Sequence, residues 1–244
     1  AQVTAGKPDI DLVADDSIGH SLWVVQDPHL LDDITRRFEA MPSLYIADGH
    51  HRSAAASRVA AQRGIVGDAG VFLTVIFPHD QMLILDYNRV VRDLSGQSPE
   101  VFLARVSEHF RVSPSATPVS PAGPGSFGMY LAGQWYVLTV APERVPADPV
   151  GRLDVSVLAD NLLAPLLGID DPRRDSRIDF VGGIRGLQAL EQRVDSGEMA
   201  VAFSMYPTQM EDLMAVADAG EVMPPKSTWF EPKLADGLVS LVID

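Results

Sequence analysis

The chain has 244 residues, 46% of them hydrophobic and 21% charged, with no cysteine and a formal net charge of −14. Such a length holds a sizeable core, while the lack of cysteine excludes disulfides, thiolate nucleophiles and cysteine-ligated zinc. The acidic balance works against nucleic acid and anionic membranes, both of which are bound chiefly through Lys and Arg. No apolar run reaches the length of a membrane span. Ala1-Gln2-Val3-Thr4 has neither the basic nor the apolar character of a signal peptide, and the lack of cysteine fits an expected cytoplasmic protein. Without an initiator methionine, the chain reads as a fragment or a processed product.

Residues 1–19 read as a loose polar lead-in, followed by a strand from His20 to Gln26. Asp27-Pro28 opens a helix, with Asp27 as its cap and Pro28 at the first helical position. Leu30, Leu31, Ile34 and Phe38 then repeat at helical spacing. Leu44 to Ala47 is a short apolar strand that runs into Asp48-Gly49-His50-His51-Arg52, and the Ala-rich Ser53 to Arg63 is a helix. Val71 to Phe77 and Met82 to Tyr87 read as paired strands joined through Pro78-His79-Asp80.

A helix starts at Ser98-Pro99-Glu100 and runs through Phe110, and the Pro- and Ser-rich 112–126 is a loop or linker. Phe127–Leu131 and Trp135–Val140 form a hairpin that turns at Ala132-Gly133-Gln134. Helices over Val155–Leu167, Ile184–Val194 and Gln209–Ala219 follow, with strands at Met199–Tyr206 and Leu238–Ile243. Hairpins among irregularly alternating elements predict an α+β fold. Its expected sheet is mixed and carries a strand-loop-helix phosphate box, with additional β-hairpins and helices. The expected organisation is a region 1–111 holding the box, the linker 112–126, and a second α+β region 127–244 able to pack into the same domain.

The box carries the chemistry. A helix start leaves N–H groups unpaired and carries partial positive charge. Gly49 lets the backbone approach a ligand, Arg52 can grip two phosphate oxygens, and His50 and His51 add donors. Asp48 can hold a metal ion or take a proton from a hydroxyl. Together these groups suit phosphoryl chemistry at a helix N-terminus. The plainer alternative makes Asp48 a cap, Gly49 a turn residue and the histidines surface groups.

Ala47-Asp48-Gly49-His50-His51-Arg52-Ser53-Ala54-Ala55-Ala56 resembles the bacterial family called domain of unknown function 1015. So do Tyr87-Asn88-Arg89-Val90-Val91, Arg177-Ile178-Asp179-Phe180-Val181-Gly182-Gly183, and the segment from Met223 to Lys233. The resemblance spans essentially the whole chain. Members carry a further N-terminal region, and this sequence is expected to begin after it; that region is then a partner of the site. The Asp-Gly-His-His-Arg run is also similar to the phosphate box of the ParB/sulfiredoxin superfamily, which implies a core of that type. The superfamily includes CTP-hydrolysing partition proteins, ATP-using sulfiredoxins and free-serine kinases. The last carry a very similar run.

By that resemblance Asp48 is the catalytic or metal-organising acid, and Gly49, His50, His51 and Arg52 bind phosphate. The ligand is a nucleotide (ATP, ADP or CTP), with magnesium brought in by the nucleotide and held partly by Asp48. Sulfiredoxin chemistry needs a cysteine that this chain lacks. The kinases use a glutamate upstream of the box. The acidic residues there, Asp9, Asp11, Asp15, Asp16, Asp27, Asp32, Asp33 and Glu39, stand in no matching context.

Two further segments hold candidate groups. Arg177 and Asp179, ahead of Gly182-Gly183, read as a second anion or substrate site or as a solvated loop with local ion pairs. Lys226, Ser227 and Thr228, after Pro224-Pro225, can meet a phosphate or carboxylate, with Trp229 and Phe230 as walls; the alternative is a stiff loop whose aromatics fill the core. Arg89, at the end of a strand, pairs with an acidic neighbour or faces the site, with a structural role the favoured reading. His20, His29, His79 and His109 have no metal-ligand spacing, so no metal bound by protein ligands alone is expected. The resulting expectation is a nucleotide-binding protein that transfers a phosphoryl group to a small hydroxylated metabolite, with free serine the leading acceptor by resemblance and nucleotide hydrolysis without an acceptor a close relative of it. The alternative is a non-catalytic regulator that senses a nucleotide or phosphometabolite, with ParB-like nucleotide binding or hydrolysis.

Overall fold

The computed structural model describes residues 3–15, 17–64, 67–235 and 237–242, without the side chains of His51, Asp68 and Ala69. The chain divides into two compact units, Ala1–Ile46 and Ala47–Asp244. In the first, β1 (Ile10–Val13) pairs antiparallel with β2 (Gly19–Leu22), from Ile10↔Leu22 to Val13↔Gly19. The lead-in expected to be loose therefore carries a strand. Its four residues sit between aspartates and stay largely exposed, so no apolar alternation marks it. Helix α1 (Pro28–Glu39) starts as expected: Asp27 Oδ1 accepts the His29 N–H at 2.9 Å and Pro28 occupies the first turn.

The second unit begins with α2 (His50–Arg63). Strand β3 (Leu83–Leu85) follows, and then β4 (Tyr87–Val91) and α3 (Pro99–His109). Ser98 caps α3 through its hydroxyl. Strand β5 (Phe110–Ser115) leads to a hairpin of β6 (Ser126–Leu131) and β7 (Gln134–Val140). Both turn residues of that hairpin, Ala132 and Gly133, have positive φ (49° and 81°), the geometry that matches strand twist across a two-residue connection. A continuous helical stretch comes next: α4 (Asp154–Leu158), a π-helical turn over Ala159–Leu163, and α5 (Ala164–Leu167). The chain then forms β8 (Ile178–Gly182), α6 (Gln188–Asp195), β9 (Val201–Ser204), α7 (Met210–Asp218) and β10 (Trp229–Glu231).

The main sheet has the order β5-β7-β6-β9-β4-β8, and β3 pairs with β10 in a separate ladder. The fold is α+β, and every ladder among the described residues is antiparallel rather than mixed. Alternation along the strands makes two apolar layers. Val91, Met129, Val201 and Phe203 face one cluster with Phe102 and Val106 of α3 and Leu158, Leu162 and Leu167 of the π-interrupted helix. Val90, Tyr130 and Ala202 face the other, with Leu190 of α6. A smaller cluster gathers Ile84, Leu213 and Phe230, with Ala47 packed against it.

Several expected elements fall differently. Of the expected loop or linker 112–126, residues 112–115 belong to β5, which pairs with β7, and 116–125 form a loop between β5 and β6 of the same sheet. Met82–Tyr87 does not pair with Val71–Phe77. Its partner is β10, 144 residues later at Trp229↔Leu85. Val71–Phe77 and Leu44–Ala47 have no ladder among the described residues, and Val71, Phe72, Leu73, Val75 and Ile76 are exposed. The box is thus a loop leading into a helix, without an assigned strand before it. Leu238–Val242 has no strand either, and Ile243 lies outside the described residues.

Two consequences for stability follow. Phe203 is fully buried between β4 and β6, so Phe203→Ala should cost ~3–5 kcal/mol of unfolding free energy in chemical denaturation. Asp154, at the start of α4, accepts the Gly125 N–H on Oδ1 at 2.7 Å, while its Oδ2 is buried without a hydrogen-bond partner among the described residues. Burial pushes this carboxyl up to about 6; the Gly125 amide pulls against that rise and the nearby Asp212 carboxylate adds to it. The folded state holds the proton more tightly than the unfolded chain. This contribution to stability is complete below the ordinary carboxylate range and is lost as pH rises through about 6. Asp154→Asn cannot ionise, so between about pH 4 and pH 7.5 the wild-type melting temperature should fall relative to the variant's; parallel profiles would contradict this.

Candidate functional site

Helix α2 begins inside the Asp-Gly-His-His-Arg run. Gly49 is its cap residue in a left-handed conformation (φ 88°, ψ 20°), which glycine adopts without the cost a Cβ would bring. Asp48 Oδ1 accepts the Gly49 N–H at 2.7 Å, and no side chain caps the helix. The first helical hydrogen bond runs from Ser53 N to Gly49 O at 3.0 Å, which leaves the N–H groups of His50, His51 and Arg52 at the open end of the helix. The Arg52 guanidinium folds back beside Gly49, its Nε and Nη2 3.6 Å from where a Cβ would stand. Among the described residues it has no ion-pair partner. The His51 side chain lies outside what the structure describes.

Asp48 and His50 line a cleft of about 290 Å³ together with Ala47, Tyr87, Lys226, Thr228, Trp229, Phe230 and Lys233. The start of α2, the start of β4 and the turn around β10 therefore meet, although nearly 180 residues of chain separate Asp48 from Lys226. Gly182, paired across the ladder with Tyr87, makes room for the Trp229 indole; a Cβ there would stand 2.7 Å from two of its carbons. Tyr87 and Trp229 meet edge to face at 5.5 Å. Each carries a lysine: Lys226 Nζ is 5.5 Å from the Tyr87 ring centre, and Lys233 Nζ 5.4 Å from the Trp229 ring. Cation–π contact holds both ammonium groups near the cleft. Lys233 Nζ stands 3.8 Å from Asp48 Oδ2. Glu231 steadies the wall, accepting Trp229 Nε1–H at 2.8 Å and the Lys233 N–H at 3.1 Å.

The remaining sequence candidates are placed unevenly. Thr228 and Lys226 line the cleft, but Ser227 does not: it is 5% exposed, its hydroxyl donates to the Pro224 carbonyl, and its own carbonyl accepts Thr208 Oγ1–H at 2.9 Å. Arg177 lies outside the lining. Its guanidinium binds Asp175 at 2.7 Å and the carbonyls of Leu167 and Gly168 at 2.9 and 3.0 Å, so its donors clamp a loop. Asp179 pairs with Arg193 at 2.9 Å. Burial raises the Asp179 carboxyl, but the Phe180 amide, Arg193 and Lys226 outweigh it and leave the group below its ordinary range. Arg193 belongs to a second cleft of about 240 Å³, lined by Val181, Arg185, Ala189, Gln192, Arg193 and Glu198.

Sequence reasoning did not place Tyr87 or Lys233 at the site. Lys233 follows Trp229-Phe230-Glu231-Pro232, and no pattern in that run announces a lysine laid on a ring. Arg89 has a structural role, as expected, but no acidic residue among the described ones pairs with it: it is 4% exposed, and its guanidinium donates to the carbonyls of Tyr87 and, at 3.0 Å, Lys226. No helix among the described residues is long and apolar enough to cross a membrane.

No curated protein matches the chain. Among solved structures, a free serine kinase in complex with AMP is 15% identical, with 85% of this chain and 81% of that one covered and a TM-score of 0.43. A mutant free serine kinase with AMP is 16% identical at a TM-score of 0.43. There, 76% of this chain is covered, and the chain spans 66% of that protein's length, just under two thirds. A conserved hypothetical protein from Pyrococcus furiosus is 16% identical, covering 85% and 84% of the two chains, with a TM-score of 0.42. The family model described as protein of unknown function (DUF1015) matches residues 1–156, more than half of the sequence, and the chain belongs to that family.

Proposed function

We propose that the cleft binds the phosphates of a nucleotide and that the chain takes part in phosphoryl transfer to a small hydroxylated metabolite. The observation that carries this reading is the convergence of the uncapped start of α2 with Lys226, Thr228 and Lys233 around a single carboxylate, Asp48. Unpaired helix N–H groups and two ammonium groups are complementary to phosphate oxygens. The surplus of positive groups here contrasts with the −14 charge of the whole chain, so the cleft is a local trap for an anion on an otherwise repelling surface. His50 and Arg52 add donors from the first helical turn, and His51 shares that turn by sequence.

In this reading Asp48 takes the proton of the attacking hydroxyl, and its distance of 3.8 Å from Lys233 Nζ supports a charge-balanced carboxylate. Magnesium would arrive with the nucleotide, held mainly by the phosphates with Asp48 as the one protein carboxylate in the lining. The resemblance of the Asp48–Arg52 run to that of the free-serine kinases makes serine the first acceptor to try, and ATP, ADP and CTP the nucleotides.

Calorimetry with these three nucleotides and magnesium tests the reading. Binding is expected, and Arg52→Ala should weaken it by roughly ten- to a hundredfold, ~1.5–3 kcal/mol for charged hydrogen bonds. Incubation of the bound nucleotide with serine should then yield phosphoserine. Binding without any phosphorylated acceptor would replace transfer with a sensing role, and the absence of binding would remove the phosphate site.

A further inference from the structure

A charge that the phosphate reading does not use is buried against the cleft. Arg89, in the middle of β4, is 4% exposed, and among the described residues no carboxylate lies within ion-pair distance of it. A buried cation without a counter-ion is unfavourable, and burial pushes this guanidinium down to about 10, partly offset by Tyr87. Its place is fixed by the Phe180 ring, whose centre is 5.5 Å from Cζ, and by two main-chain carbonyls, those of Tyr87 and Lys226. Both acceptors belong to residues that line the cleft.

Lys226 has φ 59°, a conformation rarely taken by a residue with a Cβ and kept only where the surroundings impose it. The Arg89 hydrogen bond to its carbonyl, at 3.0 Å, is one such constraint. The neighbouring Thr208 hydroxyl, bonded to the Ser227 carbonyl at 2.9 Å, is another. With these two successive carbonyls held, the Lys226 side chain lies over the Tyr87 ring and lines the cleft.

We propose that Arg89 is a positioning residue of this cleft: by holding the Lys226 carbonyl it aims the Lys226 ammonium at the bound anion, so that the affinity Lys226 contributes depends on Arg89. The proposal rests on the phosphate reading above. A double-mutant cycle with inorganic pyrophosphate as the probe, read by calorimetry on the whole chain, tests it. Lys226→Met should weaken binding about tenfold, the loss of one charged contact. Arg89→Met should weaken it by a similar factor, and the double variant should bind no more weakly than Lys226→Met alone.

Circular dichroism checks that each variant folds. Should Arg89→Met fail to fold, Arg89→Lys takes its place; it keeps the charge but not the two-pronged donor, and a smaller loss is expected that again vanishes once Lys226 is replaced. An Arg89 substitution without effect on affinity, or one with the same effect in the presence and absence of Lys226, overturns the proposal while leaving the phosphate site intact. A wild-type chain that does not bind pyrophosphate overturns the phosphate reading and the proposal together.

Discussion

One hydrogen bond, from the buried Arg89 guanidinium to the Lys226 carbonyl, ties the main sheet to the turn that completes the cleft. It spans 137 residues of sequence and joins a strand whose flanks are fully occupied to a turn with no ladder of its own. Around it, Tyr87 reaches Trp229 and Trp229 lies against Gly182, so the wall of the cleft is built on the ends of β4, β8 and β10.

The electrostatics of the cleft follow from that frame. A chain with 33 acidic and 19 basic side chains, excluding histidine, concentrates two lysines at one point, and aromatic faces rather than carboxylates hold them there. Only Lys233 has an acidic neighbour in the lining, Asp48 at 3.8 Å. Ammonium groups steadied by rings keep most of their attraction for a ligand, whereas those spent on tight carboxylate pairs do not. Arg177 shows the contrast: its guanidinium is bound to Asp175 and to turn carbonyls, and it serves the loop.

The sequence made the local features legible and hid the distant ones. The Asp27-Pro28 and Ser98-Pro99 helix starts, the Ala132-Gly133 hairpin and the helical onset after Gly49 rest on contacts within a few residues, where capping and turn chemistry dominate. The pairing of β3 with β10 could not be read because the partners are remote, and the local Pro78-His79-Asp80 turn pointed to a hairpin instead. Strand β8 was obscured by the charged run ahead of it and by the glycines that end it. A structural role for Arg89 was legible but its partner was not, because that partner is a remote main-chain carbonyl, which no side-chain pattern announces. Of the candidate groups in the Pro-Pro-Lys-Ser-Thr turn, Lys226 and Thr228 reach the cleft, whereas Ser227 points back into its own turn.

The most direct measurement is a titration of the isotope-labelled chain with magnesium ADP, followed by amide chemical shifts. The account predicts that the amides of Gly49, His50 and Arg52 move together with those of Lys226, Thr228 and Lys233, as the open helix end and the far turn meet one ligand. Shifts confined to Arg185, Gln192 and Arg193 around the second cleft, or no shifts at all, would contradict it.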